Sequence, residues 1–234
     1  MKNRRETILL AIIKQFIKTA NPVGSKNLRE EFGFSCSPAT IRTEMAALEN
    51  DGLLISPHTS AGRIPTERGF RFFVANCRED LTEIRPTVAR AFEKNLAEHL
   101  RQKRADEAAF DAVSVLTRLT PNVAFSSVPS ARRTFFLGFG NILRQPEFAE
   151  NPEIASGVFR VLEEKFDTVL QNLAIDETPK IFLGSENIFP EIQSCGLIVV
   201  RVGDGFLGIL GPMRMDYATN IAALESAKTF LESR

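Results

Sequence analysis

Residues 37–52 carry the signals of one short helix, and this segment constrains the fold of the N-terminal region more than any other. Ser37 offers an N-cap oxygen, Pro38 suits the first helical position, and Gly52 stands just past the end. Placing residues at about 100° intervals brings three apolar side chains into one narrow arc, which predicts the buried face: Ile41, Met45 and Leu48. The opposite face holds small side chains, which let a helix backbone approach another molecule closely.

Two more helices are predicted before this segment. Residues 5–18 repeat apolar side chains at helical spacing, and the proline and glycine within residues 21–24 interrupt that pattern. Ser25 is predicted to cap a second, short helix that buries Leu28 and ends at Gly33. Three short helices, of which the third is small and polar on its outer side, are typical of a helix-turn-helix, whose last helix enters the major groove of DNA.

A hairpin is predicted after the third helix. Residues 53–55 have the pattern of a short strand, and residues 57–65 that of a loop returning to a second extended piece. The small hydroxyl residues of this loop and the nearby Arg63 suit contact with phosphate or the minor groove. A second interpretation is that Arg63 stabilises the hairpin by bonding local carbonyl groups. Together, the helices and the hairpin predict a winged helix-turn-helix in residues 1–75.

These patterns define a candidate DNA interface in the N-terminal region. We expect its contacts to come from the second and third helices and from the hairpin loop: Ser25, Lys26, Ser37, Ala39, Thr40, Arg42, Thr43, His58, Thr59, Ser60 and Arg63. The charge distribution agrees, because residues 1–75 carry 11 Lys and Arg against 7 Asp and Glu, whereas the remainder carries 18 against 22. The N-terminal region would therefore face the phosphates.

The rest of the chain predicts an α+β fold. Residues 76–104 are expected to form linking helices, and residues 105–234 a sheet domain in which strand and helix signals alternate. The Gly-Asp-Gly sequence at 203–205 predicts a hairpin turn, because Asp and Gly accept a positive φ. Asp216 is predicted to cap the last helix.

An apolar stripe in the linking helices leaves two interpretations open. It consists of four side chains at helical spacing: Val88, Phe92, Leu96 and Leu100. Either the stripe packs on a second copy of the chain, or it covers the chain's own sheet. A homodimer is expected in any case, because one winged helix buries a small interface on DNA, and two modules on a palindromic site gain avidity.

The chain offers little for catalysis. Its two histidines, His58 and His99, lie in different elements, and neither has a neighbour that would complete a catalytic pattern. The Gly-Phe-Gly sequence at 138–140 lacks the third glycine of a dinucleotide-binding loop, so a turn at a strand end is the better interpretation. We therefore expect no catalytic residues, no metal and no cofactor.

Cysteine usage and the N-terminus favour a cytoplasmic protein. The three cysteines are too scattered for a disulfide framework: Cys36, Cys77 and Cys195. Lys14 and Lys18 interrupt the apolar N-terminal stretch, which argues against a signal peptide. A membrane partner is not expected, because no run of about eighteen apolar residues occurs.

Several segments at both ends of the chain are distinctive. They are PVGSK at 22–26, SPATIR at 37–42, EMAALE at 44–49, PHTSAGRIPT at 57–66, GSEN at 184–187 and GPMRMDY at 211–217. In these segments the chain resembles the heat-inducible transcription repressor family HrcA. The resemblance implies a winged-helix repressor that binds, as a dimer, an inverted-repeat operator upstream of chaperone genes. It also implies a GAF-like second domain and a GroE-type chaperonin as co-repressor.

Two features depart from the family pattern. Thr43 stands where the family usually has Asn, so the bidentate contact that an Asn makes with adenine is lost here. Residues 136–143 and 145–148 resemble a segment that lies late in the family, yet here they follow soon after Pro121. The middle segment and the inserted dimerising domain of the usual protein are therefore expected to be missing.

One alternative comes from a different functional class. The α+β domain could make the chain a sensor or adaptor that binds a small ligand or a protein, with DNA binding weakened by the departures above. Binding to DNA, measured against unrelated competitor DNA, separates this alternative from the repressor.

Overall fold

The computed structural model describes residues 3–58, 62–97, 105–129, 133–166, 168, 170 and 173–233. The chain divides into two compact units, Met1–Asn76 and Cys77–Arg234. Both helices and an antiparallel sheet are present, so the predicted α+β class is confirmed.

The first unit contains three helices, a two-stranded antiparallel hairpin and a fourth helix. In chain order they are α1 (Arg4–Thr19), α2 (Ser25–Phe32), α3 (Pro38–Asn50), β1 (Leu54–Ile55), β2 (Ile64–Pro65) and α4 (Glu67–Asn76). In the hairpin, Leu54 pairs with Pro65 and Ile55 with Ile64. The core takes one apolar face from each helix, and its buried members include Ile8, Ile12, Leu28, Ile41, Leu48 and Phe70.

The second unit combines helices with five further strands. In chain order they are α5 (Arg78–Ala97), α6 (Ala105–Leu119), β3 (Val123–Val128), β4 (Arg133–Leu137), α7 (Phe139–Ile142), α8 (Pro146–Ala149), α9 (Pro152–Arg160), β5 (Lys180–Leu183), β6 (Cys195–Val202), β7 (Gly205–Pro212) and α10 (Tyr217–Glu232). Helix α9 runs on into a single π-helical turn, Val161–Lys165.

The strands of the second unit form one antiparallel sheet in the order β4-β3-β7-β6-β5. Strands β6 and β7 pair along their full length, from Cys195 opposite Pro212 to Val202 opposite Gly205. Gly203 has a φ of 58° in the two-residue turn between them. This confirms the hairpin turn that the Gly-Asp-Gly sequence predicts.

The core of the second unit is largely aliphatic and phenylalanine-rich. Side chains from the sheet and from the α8–α9 region form one cluster, and its buried members include Phe125, Phe148, Phe166, Leu197 and Leu210. Helices α6 and α10 also pack on the sheet. Asp216 accepts a hydrogen bond from the backbone N–H of Thr219 at 3.1 Å, which confirms the predicted cap of the last helix.

The apolar stripe of α5 lies inside the second unit. Val88, Phe92 and Leu96 are buried within a single chain, and the Phe92 ring lies 6.3 Å from that of Phe230 on α10. Of the two interpretations, the stripe therefore covers the chain's own fold, although it packs on α10 and not directly on the sheet. Leu100 lies outside the described residues. Residues 78–97 belong to a compact unit, which differs from the separate linking segment predicted from the sequence.

Candidate nucleic-acid interface

Helix α3 presents two chemically different faces. The Ser37 hydroxyl accepts a hydrogen bond from the backbone N–H of Thr40 at 3.1 Å, and Pro38 occupies the first turn. The buried face is the predicted one: Ile41, Met45 and Leu48. The exposed face carries one long cation among small side chains: Ala39, Arg42, Thr43 and Ala46. A flat face of this kind can approach a groove closely.

The polar groups on the exposed face of α3 differ in how far they are already engaged. The Thr43 hydroxyl donates to the backbone oxygen of Ala39 at 3.2 Å, so its hydrogen is already used. The Arg42 guanidinium has no hydrogen bond or ion pair within the part of the chain that the structure describes. Arg42 therefore has all its donors available for a ligand.

Helix α2 begins one residue earlier than the sequence predicts. Gly24 is the N-cap and has no side chain to bond the first turn, so the prediction that Ser25 caps this helix is wrong. Ser25 is the first helical residue and is only 7% exposed, so its hydroxyl offers little to a partner in solvent. Lys26, the next residue, is exposed, and no described residue pairs with its ammonium.

The hairpin loop contributes His58 to the exposed surface. The backbone oxygen of His58 accepts a hydrogen bond from the Ser56 hydroxyl at 2.7 Å, and no residue that the structure describes pairs with the His58 imidazole. Thr59 and Ser60, which were predicted to contact DNA, lie outside the described residues. On α3, the Thr40 hydroxyl lies 3.0 Å from that of Ser37.

Arg63 is engaged inside the first unit. Its Nη2 lies 2.9 Å from Oε2 of Glu49, and its Nη1 donates to Oγ of Ser56 at 3.1 Å. Only 22% of its side chain is exposed. Of the two interpretations of Arg63, these contacts support local stabilisation, although its partners are a carboxylate and a hydroxyl instead of carbonyls. Glu49 and Ser56 could not be predicted as partners of Arg63, because contacts between residues distant in sequence leave no local pattern.

Two groups can be distinguished among the exposed cations of the first unit. Arg5 pairs with Glu44 and Asp51, and Lys18 pairs with Glu31. The hydrogen bond to Glu44 raises the pKa of Arg5 above its ordinary value. Within the described residues, no acidic partner neutralises the cations of a second group: Arg4, Lys26, Arg29, Arg42 and Arg68. These exposed charges are available to phosphate.

The part of the chain that the structure describes offers no metal site, and the two thiols of the second unit are not activated. No cluster of three or more His, Cys, Asp or Glu side chains suited to a metal ion occurs in that part of the chain. Burial raises the pKa of the Cys195 thiol to about 12 and also raises that of Cys77. Among the described residues, no helix has the length and apolar character needed to span a membrane.

These observations define a class: a two-unit α+β protein whose first unit exposes a short helix with a small, cationic outer face. Residues 74–221, more than half of the chain, match the family model described as the HrcA protein C terminal domain. The chain belongs to the HrcA family.

Curated relatives agree with this assignment. The heat-inducible transcription repressor HrcA of Desulforamulus reducens is 27% identical over 96% of this chain and 94% of its own length. That of Synechococcus sp. is 24% identical over 97% and 96%. That of Beutenbergia cavernae is 41% identical, over 56% of this chain and 36% of its own length.

The length of one alignment bears on the missing middle segment. The alignment with the Desulforamulus reducens protein runs over 334 positions, whereas this chain has 234 residues, so at least 100 of those positions have no counterpart here. This supports the prediction that a segment of the usual protein is missing.

One solved structure shares the fold. A hypothetical protein with a crystal structure at 2.2 Å resolution superposes with a TM-score of 0.80, over all of this chain and 98% of its own. The two sequences are 17% identical, so the likeness concerns the fold alone.

Proposed function

We propose that the chain is a DNA-binding transcription repressor of heat-inducible genes, and that residues 1–75 act as a winged helix-turn-helix. The observation that carries the proposal is the outer face of α3, where small residues surround Arg42 and no residue that the structure describes pairs with its guanidinium. Such a helix fits the major groove, in which Arg bonds the O6 and N7 atoms of guanine. The names of the curated relatives support the repressor assignment.

The proposed contacts are those predicted residues that remain available to solvent, together with the two loop residues outside the described part of the chain: Lys26, Ser37, Ala39, Thr40, Arg42, Thr43, His58, Thr59 and Ser60. Lys26 is suited to phosphate, because its ammonium is exposed at the start of α2. We assign Ser25 and Arg63 to the structure of the first unit, since both are engaged or buried there.

The finer features of the function come from the family resemblance. We propose that the protein acts in the cytoplasm as a homodimer on an inverted-repeat operator upstream of chaperone genes. A GroE-type chaperonin would serve as co-repressor, and the second unit would be a GAF-like regulatory and dimerisation domain. The α5 stripe is buried in its own chain, so dimer contacts must come from another surface.

Selection from a random library of double-stranded DNA, with the full chain, tests the proposal without a known operator. The recovered sequence is expected to be an inverted repeat that competes effectively against unrelated DNA. Fluorescence anisotropy then compares the parent with Arg42→Ala, which we expect to weaken specific binding by about 1–3 kcal/mol if Arg42 contacts a base. If Arg42 contacts only phosphate, Arg42→Ala weakens binding to all DNA sequences equally. The slope of log affinity against log salt concentration then falls by about one released counterion.

Arg144→Ala is the matched control. Arg144 is exposed in the second unit, and within the described residues its guanidinium has no partner, so its removal tests the loss of one surface charge. Affinity is expected to stay at the parent value. Failure to enrich any sequence would contradict the repressor function and favour the sensor or adaptor. Equal binding by Arg42→Ala would contradict the assignment of α3 as the recognition helix.

A further inference from the structure

Arg63 joins three segments that are far apart in the sequence. Its side chain reaches the last turn of α3 through Glu49, at 2.9 Å, and the hairpin through the Ser56 hydroxyl, at 3.1 Å. Its backbone reaches the segment before α2, because Arg63 and Val23 exchange two backbone hydrogen bonds of 2.9 and 3.0 Å. One residue thus connects the start of α2, the end of α3 and the hairpin.

Glu49 is used fully in the same network. One carboxylate oxygen accepts from the backbone N–H of Ser56 at 3.0 Å, and the other lies against Arg63. Each carboxylate oxygen therefore holds a different part of the hairpin. A neutral amide in place of this carboxylate keeps the shape but loses the charge-assisted bond to the guanidinium.

The backbone approach at this point has no room for a side chain. A Cβ atom built on Gly62 would collide with the backbone carbonyl of Val23. Val23 itself is 1% exposed and immediately precedes Gly24, the N-cap of α2. The hairpin is therefore pressed against the entry to α2 at a position that requires glycine.

We propose that the Arg63–Glu49 pair is a positioning device, which holds the hairpin in register with α2 and α3 so that the DNA-facing segments form one preorganised surface. Arg63 acts through Glu49, Ser56 and Val23 and not by contact with phosphate. The proposal rests on the DNA-binding function proposed above. It predicts that removal of the Glu49 carboxylate weakens DNA binding. The negative charge of a carboxylate by itself would have the opposite effect, because it repels DNA.

The sign of the effect at Glu49 separates positioning from contact. Removing a negative charge near DNA strengthens binding if only the long-range field matters. If Glu49 positions the hairpin, Glu49→Gln instead weakens binding, by about tenfold for the loss of one charge-assisted hydrogen bond. Glu30→Gln is the matched control, because Glu30 is an exposed carboxylate of α2 that pairs with no described residue. It is expected to bind as tightly as the parent, or more tightly.

The test uses the full chain on the duplex recovered by selection, with anisotropy titrations at several salt concentrations. Glu49→Gln, Arg63→Ala and the double variant are compared, and thermal melts confirm that each is folded at the assay temperature. We expect the two single variants to lose affinity to a similar extent and to share one salt slope. The double variant is expected to bind no worse than Arg63→Ala, because both changes break the same interaction.

Two results would overturn the proposal. One is a Glu49→Gln protein that binds as tightly as the parent or more tightly. The other is a salt slope that falls by about one counterion for Arg63→Ala but not for Glu49→Gln, as expected for a direct phosphate contact. Both presuppose that the parent binds DNA, so they differ from failure of the proposed function, in which the parent itself selects no sequence.

A measurement without DNA tests the same device. The amide of Ser56 donates to Glu49, and the amides of Val23 and Arg63 are paired with each other. Glu49→Gln is expected to speed hydrogen exchange at all three amides, and Glu30→Gln at none of them. Unchanged exchange at Val23 and Arg63 in Glu49→Gln would show that the ion pair does not hold the hairpin, and would overturn the proposal.

Discussion

The first unit keeps its apolar side chains on one side of each short helix and leaves the other side to exposed cations. In its hairpin, Arg63 forms an ion pair with Glu49 and donates a hydrogen bond to Ser56. In the second unit, by contrast, strand β6 is buried on both faces along residues 195–200. Aromatic rings pack edge to face there, and the ring centroid of Phe166 lies 4.5 Å from that of Phe125 and 5.0 Å from that of Phe136.

This difference separates two kinds of sensitivity to substitution. A unit in which both faces of the sheet are covered takes its stability from buried apolar area. Truncation of a central side chain therefore lowers the free energy of unfolding most in that unit. A unit that must leave a helix face open has less area to bury and depends more on caps and specific polar contacts. Changes in the first unit should therefore affect geometry and recognition as well as stability.

The chain contains an intrinsic probe that distinguishes the units. Its only tyrosine, Tyr217, lies buried in α10 of the second unit, and the chain has no tryptophan. Tyrosine fluorescence therefore follows the second unit, whereas circular dichroism follows the helices of both.

The largest effect is expected from Phe125→Ala in the second unit. Phe125 is fully buried and contacts two other rings, so its truncation should lower the free energy of unfolding by about 3–5 kcal/mol. The measurement is urea unfolding followed by Tyr217 fluorescence. Phe110→Ala is the control, because that side chain is 44% exposed and should cost about 1 kcal/mol or less. Similar costs for both would show that buried area does not dominate this unit.

Leu28→Ala is the corresponding change in the first unit. Leu28 is fully buried in α2, and we expect a loss of about 2–5 kcal/mol. Unfolding of the first unit, followed by circular dichroism, should move to a lower urea concentration. Unfolding of the second unit, followed by Tyr217 fluorescence, should keep its midpoint. Phe32→Ala on the same helix, where the side chain is 38% exposed, should change little. If the Tyr217 transition moved together with that of the first unit, the two units would unfold cooperatively and the comparison would fail.

A smaller effect is expected at the cap of α3. Ser37→Ala removes the oxygen that accepts from the N–H of Thr40, which should cost about 1 kcal/mol and lower DNA affinity. Ser35→Ala, an exposed serine before the cap, should have no effect on either quantity. Thermal melts and anisotropy titrations measure the two quantities. A Ser37→Ala protein as stable as the parent would rule out a contribution of this cap to the first unit.

The smallest effect concerns the thiols. Cys36 is partly exposed in the first unit, whereas Cys77 and Cys195 are buried in the second. A disulfide reagent at pH 8 should label Cys36 rapidly and the other two only after unfolding. Fast labelling of Cys195 in the native protein would indicate that the second unit opens more readily than its packing suggests.

The pKa of Cys195 also gives a pH dependence with a definite sign. Burial raises this pKa to about 12 from an ordinary value near 9, so above about pH 9 the unfolded state releases a proton that the folded state keeps. This part of the stability is complete below pH 9 and is lost as the pH rises toward 12. Urea unfolding by circular dichroism at increasing alkaline pH should show the decline.

Much of the first unit could be predicted from local sequence. The cap at Ser37, the buried arc of α3 and the exposed position of Arg42 each depend on residues within one or two helical turns. The hairpin turn of the second unit was predictable for the same reason, because a positive φ at Gly203 is a local requirement. The charge distribution also predicts that residues 1–75 face an anionic partner, and this stays a prediction.

Other features depended on distant neighbours. Ser25 looked like a cap, but α2 begins at Ser25, soon after the paired Val23, and Ser25 is buried. The stripe of α5 suited a second copy as well as its own chain, since periodicity shows that a face is apolar but not what covers it.

Sequence by itself determined the cap and the buried face of α3, and the approximate extent of α1, because caps, turns and amphipathic periodicity are properties of neighbouring residues. Only the tertiary structure showed which groups Arg63 contacts. An exposed loop arginine and a partly buried structural one have the same local sequence, and the difference lies in whether Glu49 and Ser56 come within hydrogen-bonding distance. That distance depends on how the whole unit packs, because the free energy of an ion pair depends on geometry and burial.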